Sequence, residues 1–416
     1  MEPHGHFWVW GNKTLVVVDP VSARVVNRLA LDAELWSDPV YADGYPVITE
    51  RNEEGDSELY VFNTDPVSIH SRMLVGERPY HIYYVPFRRE VWSHSDYEGQ
   101  FDVLSLQDLT ELHYPGVKAY NETPSHGKFL FDSEWGSMAF ATTSLDPGIH
   151  EMDLENKDYV RFINMSDPID ESGVGCLGTH DLAVFKDANV LVVECTKPAD
   201  ERAIWEVDAE TLEPLFRHAP MNGATYAVPD AGDLVFVGDR RENKTHILRK
   251  TSRDAETEVF SVTLPEPWKV AFYNTHPDPQ NVSHWLAFVG LEREGIAVLD
   301  MTALIDGEES PYEILELGPG NQYRAVERGG PWIATTLADD EFNTFGLAII
   351  DAETLEVREV EGIPEMAERV LWVPDEKGAH QEIQELKDRI EELEKMIEQL
   401  GVVGGGLRAL RGRQGA

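Results

Sequence analysis

The amino-acid sequence predicts an all-β fold, an eight-bladed β-propeller that is closed by its two chain ends and followed by a short coiled-coil helix. Three observations support this prediction. A β-hairpin pattern recurs along most of the chain at intervals of roughly 45 residues, which is the length of a four-stranded blade. One strand-like segment after the last repeat has no partner of its own. Beyond it the pattern changes abruptly to that of a helix.

The recurring unit is a strand of alternating apolar and polar residues, an acidic or Asn-containing turn, and a second amphipathic strand, as in a β-hairpin. Two further strand-like runs precede the typical copy, so each copy is predicted to be the outer hairpin of one blade. A blade cannot bury its own faces and needs a neighbour on each side. The copies lie at 15–29, 59–74, 101–114, 149–163, 204–216, 246–262, 296–315 and 347–360. Seven blades is the alternative count.

The chain ends predict how the ring closes. A single strand-like run, HFWVWGN, precedes the first hairpin, so the first blade has only three strands of its own. The unpaired run ERVLWVPDE at 368–376 can supply the innermost strand of that blade and leave no sheet edge open. The predicted domains are a β-propeller at 1–376, a coiled-coil helix at 377–400 and a flexible basic tail at 401–416.

The predicted helix carries apolar residues at alternating spacings of three and four, which is the heptad pattern of a coiled coil. Isoleucine occupies every a position and leucine every d position, a choice that favours two parallel strands. We therefore expect a parallel homodimer, with docking of the helix on the propeller rim as the alternative. The heptad residues are Ile383, Leu386, Ile390, Leu393, Ile397 and Leu400.

The chain is strongly acidic. Asp and Glu number 76 against 35 Lys and Arg, which gives a formal net charge of −41. Nucleic acid is not an expected partner, because its binding requires a basic surface. A strongly acidic surface is typical of a halophilic protein, in which high salt screens the repulsion between the negative charges. An acidic secreted protein is the alternative. No apolar run reaches the length of a membrane span, so none is predicted.

The expected location is extracellular or at the cell surface, with the cytoplasm of a halophile as the alternative. The first 30 residues contain no signal peptide, whereas Asn-x-Ser/Thr sequons are more frequent than chance predicts and indicate glycosylation. The two cysteines, Cys176 and Cys195, either form one disulfide or remain free thiols. The sequons begin at Asn12, Asn121, Asn164, Asn243 and Asn281.

The outer hairpins resemble the YVTN and LVIVD-type β-propeller repeat families. The segments VVVDPVSARVV, WEVDAETLEPL and AIIDAETLEV are similar to the outer hairpin of those repeats, and GTHDLAVF is similar to their inner strand. The resemblance covers about residues 6–376. It implies a scaffold common among secreted and surface proteins and does not by itself imply a reaction.

Three consecutive blades begin their innermost strand with a histidine: His81, His126 and His180. Innermost strands line the central channel, so these imidazoles are predicted to lie on one ring and to bind one transition-metal ion such as Zn, Cu or Fe. Hairpin register predicts that Asp96 faces His81 and that Cys195 faces His180, where each would support the ligand. The alternative is a packing role for the histidines, repeated because blades repeat.

Other residues predicted to line the channel are Asp38, Tyr80, Trp135 and Tyr226, which would contact a small-molecule or protein ligand at its mouth. The sequence has no phosphate-binding Gly loop and no Gly-x-Ser-x-Gly motif. The leading hypothesis is therefore a non-enzymatic binding scaffold, dimerised by its coiled coil. The alternatives are a metal-dependent oxidoreductase or lyase that uses the three histidines, and a structural subunit of a surface array or filament.

Overall fold

The computed structural model describes residues 4–51, 56–107, 109, 112–118, 126–275, 284–309, 311–318, 325–339, 341 and 343–375. Over these residues the chain forms eight four-stranded antiparallel sheets, the blades of an eight-bladed β-propeller. The predicted fold class is confirmed, with eight blades rather than seven. The blades belong to the unit His6–Val373, and the two chain ends, Met1–Gly5 and Pro374–Ala416, form a second unit. The coiled coil predicted for 377–400 and the tail at 401–416 lie outside the described residues.

The first four blades use strands β1 to β15 and β32. Blade 1 contains β1 (Gly5–Gly11), β2 (Thr14–Asp19), β3 (Arg24–Ala30) and β32 (Arg369–Pro374). Blade 2 contains β4 (Val40–Ala42), β5 (Tyr45–Thr49), β6 (Asp56–Thr64) and β7 (Val67–Glu77). Blade 3 contains β8 (Pro79–Val85), β9 (Glu90–Ser95), β10 (Gln100–Ser105) and β11 (Leu112–Lys118). Blade 4 contains β12 (Phe129–Phe131), β13 (Met138–Thr142), β14 (Gly148–Asp153) and β15 (Asp158–Asn164).

The other four blades follow in chain order. Blade 5 contains β16 (Gly178–Phe185), β17 (Val190–Lys197), β18 (Ala203–Asp208) and β19 (Pro214–His218). Blade 6 contains β20 (Ala224–Ala227), β21 (Leu234–Asp239), β22 (Lys244–Arg249) and β23 (Glu258–Thr263). Blade 7 contains β24 (Pro267–Asn274), β25 (Trp285–Leu291), β26 (Gly295–Asp300) and β27 (Tyr312–Glu316), with the short helix α1 (Met301–Ile305) before β27. Blade 8 contains β28 (Val326–Gly329), β29 (Trp332–Ala338), β30 (Thr344–Asp351) and β31 (Val357–Val360).

The ring closes as the sequence predicts. Blade 1 has the strand order β3-β2-β1-β32, so the last strand of the repeats becomes its innermost strand. Phe7 of β1 and Val370 of β32 belong to the same apolar cluster as Ala334 and Leu347 of blade 8. This arrangement pairs the strands from the two ends of the repeats within one sheet and removes the open edges that they would otherwise present.

Apolar side chains pack between neighbouring blades rather than within one blade. Trp8 and Trp10 of blade 1 pack with Phe62 of blade 2, and Phe236 of blade 6 packs with Phe272 of blade 7. Similar clusters join the other adjacent pairs, so every described blade is buried against both neighbours. Outermost strands such as β3 and β15 are largely exposed.

Innermost strands run in the same direction in all blades, so their first residues lie at one end of the channel. The loops between second and third strands reach the same end, which we call the site face. The turns between first and second strands lie at the opposite face. Several innermost strands are bulged near their start, between Pro79 and His81, between Thr179 and Leu182, and between Pro267 and Val270. A bulge re-aims the side chains beside it, often next to a functional site.

Cys176 and Cys195 form a disulfide with a sequence separation of 19 residues. Both residues lie in the apolar cluster between blades 4 and 5. A covalent loop of this length is expected to stabilise the fold by about 3 kcal/mol, chiefly by restricting the unfolded chain. Replacing both cysteines by alanine should lower the free energy of unfolding by that amount in urea denaturation. The variant should then be insensitive to dithiothreitol, and equal stability of the two proteins would contradict the prediction.

The sequons differ in accessibility. Asn164 and Asn243 are exposed, whereas Asn12 is half-buried in the β1–β2 turn. Asn121 and Asn281 lie outside the described residues.

Across the part of the chain that the structure describes, no helix has the length and apolar character needed to cross a membrane.

Candidate functional site

A cavity of about 890 Å³ opens at the site face and extends into the channel. Its wall is built from the first residues of innermost strands and from the loops between second and third strands. The lining is mainly polar and charged, with a few aromatic side chains such as Tyr80 and Tyr226. Its volume lies within the range of about 300–1,000 Å³ that is typical of small-molecule sites.

The structure brings the three predicted histidines together on one wall of this cavity. His81 lies in β8, His126 lies shortly before β12 and His180 lies in β16, so each comes from a different blade. The ring centroids of His81 and His126 are 4.9 Å apart, and those of His126 and His180 are 4.8 Å apart. The three imidazoles therefore form a row along the channel wall.

Each ring holds a carboxylate at its Nδ1 atom. The Nδ1 of His81 lies 3.3 Å from Asp38 Oδ2, and that of His126 lies 3.0 Å from Asp96 Oδ2. The Nδ1 of His180 lies 3.1 Å from a carboxylate oxygen of Glu194. A carboxylate at one nitrogen fixes the orientation of an imidazole and raises its basicity at the other nitrogen.

The Nε2 atoms of the row are available to a ligand. The Nε2 of His81 is buried and has no hydrogen-bond partner. In the described residues no protein group hydrogen-bonds the Nε2 of His126 or of His180. Since a buried polar atom without a partner is costly, the arrangement favours a bound group that would satisfy it.

Two predicted contacts are wrong because the strand register differs from the predicted one. The β8–β9 turn pairs Val85 with Glu90 and hence His81 with His94, so Asp96 contacts His126 rather than His81. In blade 5 the bulge at Thr179 places Thr179 opposite Cys195. Cys195 forms the disulfide with Cys176 and does not contact His180 as a supporting residue.

Glu194 takes the place predicted for Cys195. It lies one residue earlier on β17 and meets His180 because the extra residues of the bulge shift the register. Asp181, also unpredicted, lies within the same bulge and places Oδ1 at 3.4 Å from His180 Nδ1. The adjacent pair His180–Asp181 was visible in the sequence, but strand alternation would have directed the two side chains to opposite faces.

The predicted channel residues divide into two groups. Asp38, Tyr80 and Tyr226 line the cavity. Trp135 does not, because the short strand β12 carries the chain from the site face to the opposite face before Trp135 is reached. There its Nε1 donates a hydrogen bond of 2.9 Å to Asn189 in the β16–β17 turn.

His180, Asp181 and Glu194 form a compact set of donor atoms. Among the residues that the structure describes, they are the one group of three potential metal ligands whose donor atoms all lie within 4.8 Å of one another. Bonds of 2.0–2.2 Å at tetrahedral angles separate neighbouring donor atoms by roughly 3.4 Å. The separations from His180 Nδ1, 3.1 and 3.4 Å, are close to that value.

Asp181 has an unsatisfied atom within this set. Its Oδ2 accepts a hydrogen bond from the Thr225 amide, whereas its buried Oδ1 accepts none. His180 Nδ1 lies 3.4 Å from that Oδ1 and Lys128 Nζ lies 3.9 Å from it, and neither forms a hydrogen bond with it. A metal ion bound by Oδ1 would satisfy the atom.

The three imidazoles differ in charge. Burial lowers the pKa of His81 well below its usual value and also lowers the pKa of His126, so both rings are neutral at pH 7. Burial acts in the same direction on His180, but Asp181 and Glu194 outweigh it and raise its pKa to about 10. Burial raises the pKa of Asp181, but the positive charges of His180 and Lys128 hold it well below its usual value. The position between the two carboxylates therefore favours a cation.

Glu327 of β28 is a second titratable group that the sequence did not reveal. Burial raises its pKa to about 7, while its Oε1 accepts a hydrogen bond from the Trp372 amide. A carboxyl group whose pKa rises on folding destabilises the fold as the pH increases from its unfolded value, about 4.5, to its folded value. The penalty is complete above pH 7 and absent below pH 4.5.

Glu327→Gln should therefore stabilise the protein at pH 8 by about 2 kcal/mol and have little effect at pH 4.5. Glutamine keeps the acceptor for the Trp372 amide and removes the charge. The measurement is the free energy of unfolding of both proteins across this pH range. The exposed Glu359→Gln, in the same blade, serves as the control and should show no such difference. A pH-independent effect of Glu327→Gln would contradict the assignment.

Comparison with known proteins identifies the fold. No family model matches the sequence, and no curated protein matches it. Apo AztD from Citrobacter koseri is similar in structure, with 13% identity, a TM-score of 0.56, and coverage of 89% of this chain and 98% of that chain. Dihydro-heme d1 dehydrogenase NirN in complex with DHE has 14% identity and a TM-score of 0.64 over 89% of this chain and 75% of that chain. Kuenenia stuttgartiensis hydrazine synthase has 13% identity and a TM-score of 0.52, covering 81% and 98%. At such identities the likeness shows the propeller fold alone.

Proposed function

We propose that this protein is a non-enzymatic binding propeller whose channel holds one divalent transition-metal ion. The observation that carries the proposal is the compact group of His180, Asp181 and Glu194, in which a buried Asp181 oxygen has no hydrogen-bond partner. One imidazole and two carboxylates suit Zn, Fe or Mn better than they suit the larger alkaline-earth ions. The ion takes the position between the two carboxylates that the His180 proton otherwise holds.

The ligand set predicted from the sequence, His81, His126 and His180, is the alternative. Neighbouring rings in the row are close enough to share an ion, and each Nδ1 already has the carboxylate typical of a ligating histidine. The three histidines together do not form a compact donor group within the described residues. We therefore favour the set centred on Asp181.

Three further features complete the proposal. The resemblance of the outer hairpins to YVTN and LVIVD-type repeats supports a role as a surface or extracellular scaffold. The Cys176–Cys195 disulfide supports an oxidising compartment, where such bridges persist. Dimerisation through the heptads of 377–400 would place two channels on one particle.

Metal analysis of the full-length protein, purified without a histidine tag, tests the proposal. After EDTA treatment and desalting, we expect titration with Zn²⁺ or Co²⁺ to show one equivalent bound per chain with submicromolar affinity, and Co²⁺ to develop visible absorption. Absence of stoichiometric binding by all of Zn²⁺, Co²⁺, Fe²⁺ and Mn²⁺ would overturn it. Turnover of any substrate that disappears in His180→Ala would instead replace the binding role with an enzymatic one.

A further inference from the structure

The cavity reverses the charge balance of the protein. The whole chain has 35 basic and 76 acidic side chains. Seven basic side chains line the cavity, against five acidic ones: Asp38, Asp96, Asp181, Glu194 and Glu266. A cavity with a net positive lining in so acidic a molecule creates a local positive potential that attracts anions.

Three of the cations that line the cavity are paired with carboxylates. The Nζ of Lys269 lies 3.0 Å from Asp38 Oδ1, and the Nε of Arg369 lies 3.6 Å from the same atom. Lys128 lies beside Asp181, as described above. Each of these three cations therefore has a carboxylate within 4 Å that partly neutralises it.

The mouth contains a group of three arginines, Arg202, Arg240 and Arg241, which we call the rim arginines. They come from two adjacent blades, in the β17–β18 loop and the β21–β22 turn. Arg241 donates a hydrogen bond to the Ala199 carbonyl, and Arg202 Nη1 donates one of 3.0 Å to Asn222 Oδ1. The first contact joins the β21–β22 turn to the β17–β18 loop, and the second joins the β17–β18 loop to the segment before β20.

Two of the rim arginines lack a carboxylate partner. Arg240 is paired with Glu292 and stacks on the Trp268 ring, 5.2 Å from its centroid. In the described part of the chain, Arg202 and Arg241 form no ion pair. The buried Nε of Arg202 has no hydrogen-bond partner either. Fixed guanidinium groups without a counter-charge, beside a cavity, are well suited to bind a carboxylate or phosphate through paired N–H donors.

We propose that the cavity binds a small organic anion, whose carboxylate or phosphate group is held by Arg202 and Arg241. Trp268 and Tyr226 line the same cavity and provide flat surfaces for the apolar part of the ligand. The two arginines are not among the proposed metal ligands, although Asn222 joins Arg202 to Glu194, and anion binding by them does not require a bound metal ion. The propeller would then bind an organic anion in addition to the metal ion.

Calorimetric titration of the EDTA-treated, full-length protein tests this proposal. Tricarballylate serves as the carboxylate probe, pyrophosphate as the phosphate probe and glycerol as an uncharged probe. We expect one of the two anions to bind in a 1:1 ratio, and the tighter of them identifies the chemical class. Binding should weaken as NaCl is raised from 0.1 to 1 M. Absence of binding by both anions, or equal binding of glycerol, would overturn the proposal.

A charge-matched pair of variants localises the binding. Arg202→Gln/Arg241→Gln should reduce the anion affinity by at least about 30-fold, since each removes charge-assisted hydrogen bonds. Arg161→Gln/Arg249→Gln changes the net charge equally but affects outer strands, where Glu151 and Glu258 pair with these arginines. It should change the affinity less than about 3-fold. Equal losses in the two variants would overturn the proposal, and unchanged melting temperatures would show that both fold.

Discussion

Replacing Asp181 by asparagine should lower the affinity of the protein for Zn²⁺ or Co²⁺ by at least about 100-fold, because it removes a charged ligand from the compact group. The substitution keeps the size of the side chain and the acceptor for the Thr225 amide. It leaves His180 and Glu194 in contact, so the fold of blade 5 should persist. The measurement is metal titration of both proteins after EDTA treatment.

His81→Gln distinguishes the two candidate ligand sets. If the ion is bound by His180, Asp181 and Glu194, this variant should retain the affinity of the parent within about 5-fold, since His81 lies two rings away in the row. If the ion is bound by the three histidines, the loss should match that of Asp181→Asn or exceed it. Parent-like metal binding by Asp181→Asn would show that the compact group is a salt-bridge cluster and no metal site.

The eight hairpins and the closure of the ring could be predicted because they rest on signals that survive in a single sequence. Strand alternation, turn residues and repeat spacing together locate β2, β3 and their equivalents. The closure follows from counting strands, since Phe7 and Val370 belong to a blade that neither chain end completes alone. These features depend on local chemistry and on the requirement that each blade bury both faces.

The site was predicted in part, and the wrong contacts come from the strand register. Equivalent positions in repeated blades lie at equivalent heights in the channel, which is why His81, His126 and His180 come together. Their partners depend on register, and both turn positions and bulges set the register without a clear trace in the sequence. Around His180, Glu194 and Asp181 take the place predicted for Cys195, and at His81 the contact predicted for Asp96 is made by Asp38. The rim arginines were missed because the sequence does not show which arginines line the cavity or which of them have a carboxylate partner.

Elsewhere, a buried ionic network between blades 5 and 6 should contribute strongly to stability. The carboxylate of Glu206 lies 2.7 Å from His218 Nε2 and 3.1 Å from Lys250 Nζ, and it accepts a hydrogen bond from Thr257. Glu206 is 1% exposed and Lys250 is 4% exposed, so water replaces neither partner. Removing one charge leaves the other buried, which typically costs 3–5 kcal/mol.

Lys250→Met should accordingly lower the free energy of unfolding by about 3 kcal/mol, and Glu206→Gln by a similar amount. The double variant should lose clearly less than the sum, because neither residue is then left as an unpaired buried charge. Lys13→Met provides the control: its ion pair with Glu34 is exposed, so this substitution should change the free energy of unfolding little. The measurement is urea denaturation at pH 7. Additive losses in the double variant would show that Glu206 and Lys250 stabilise the two blades independently, through packing rather than through their charges.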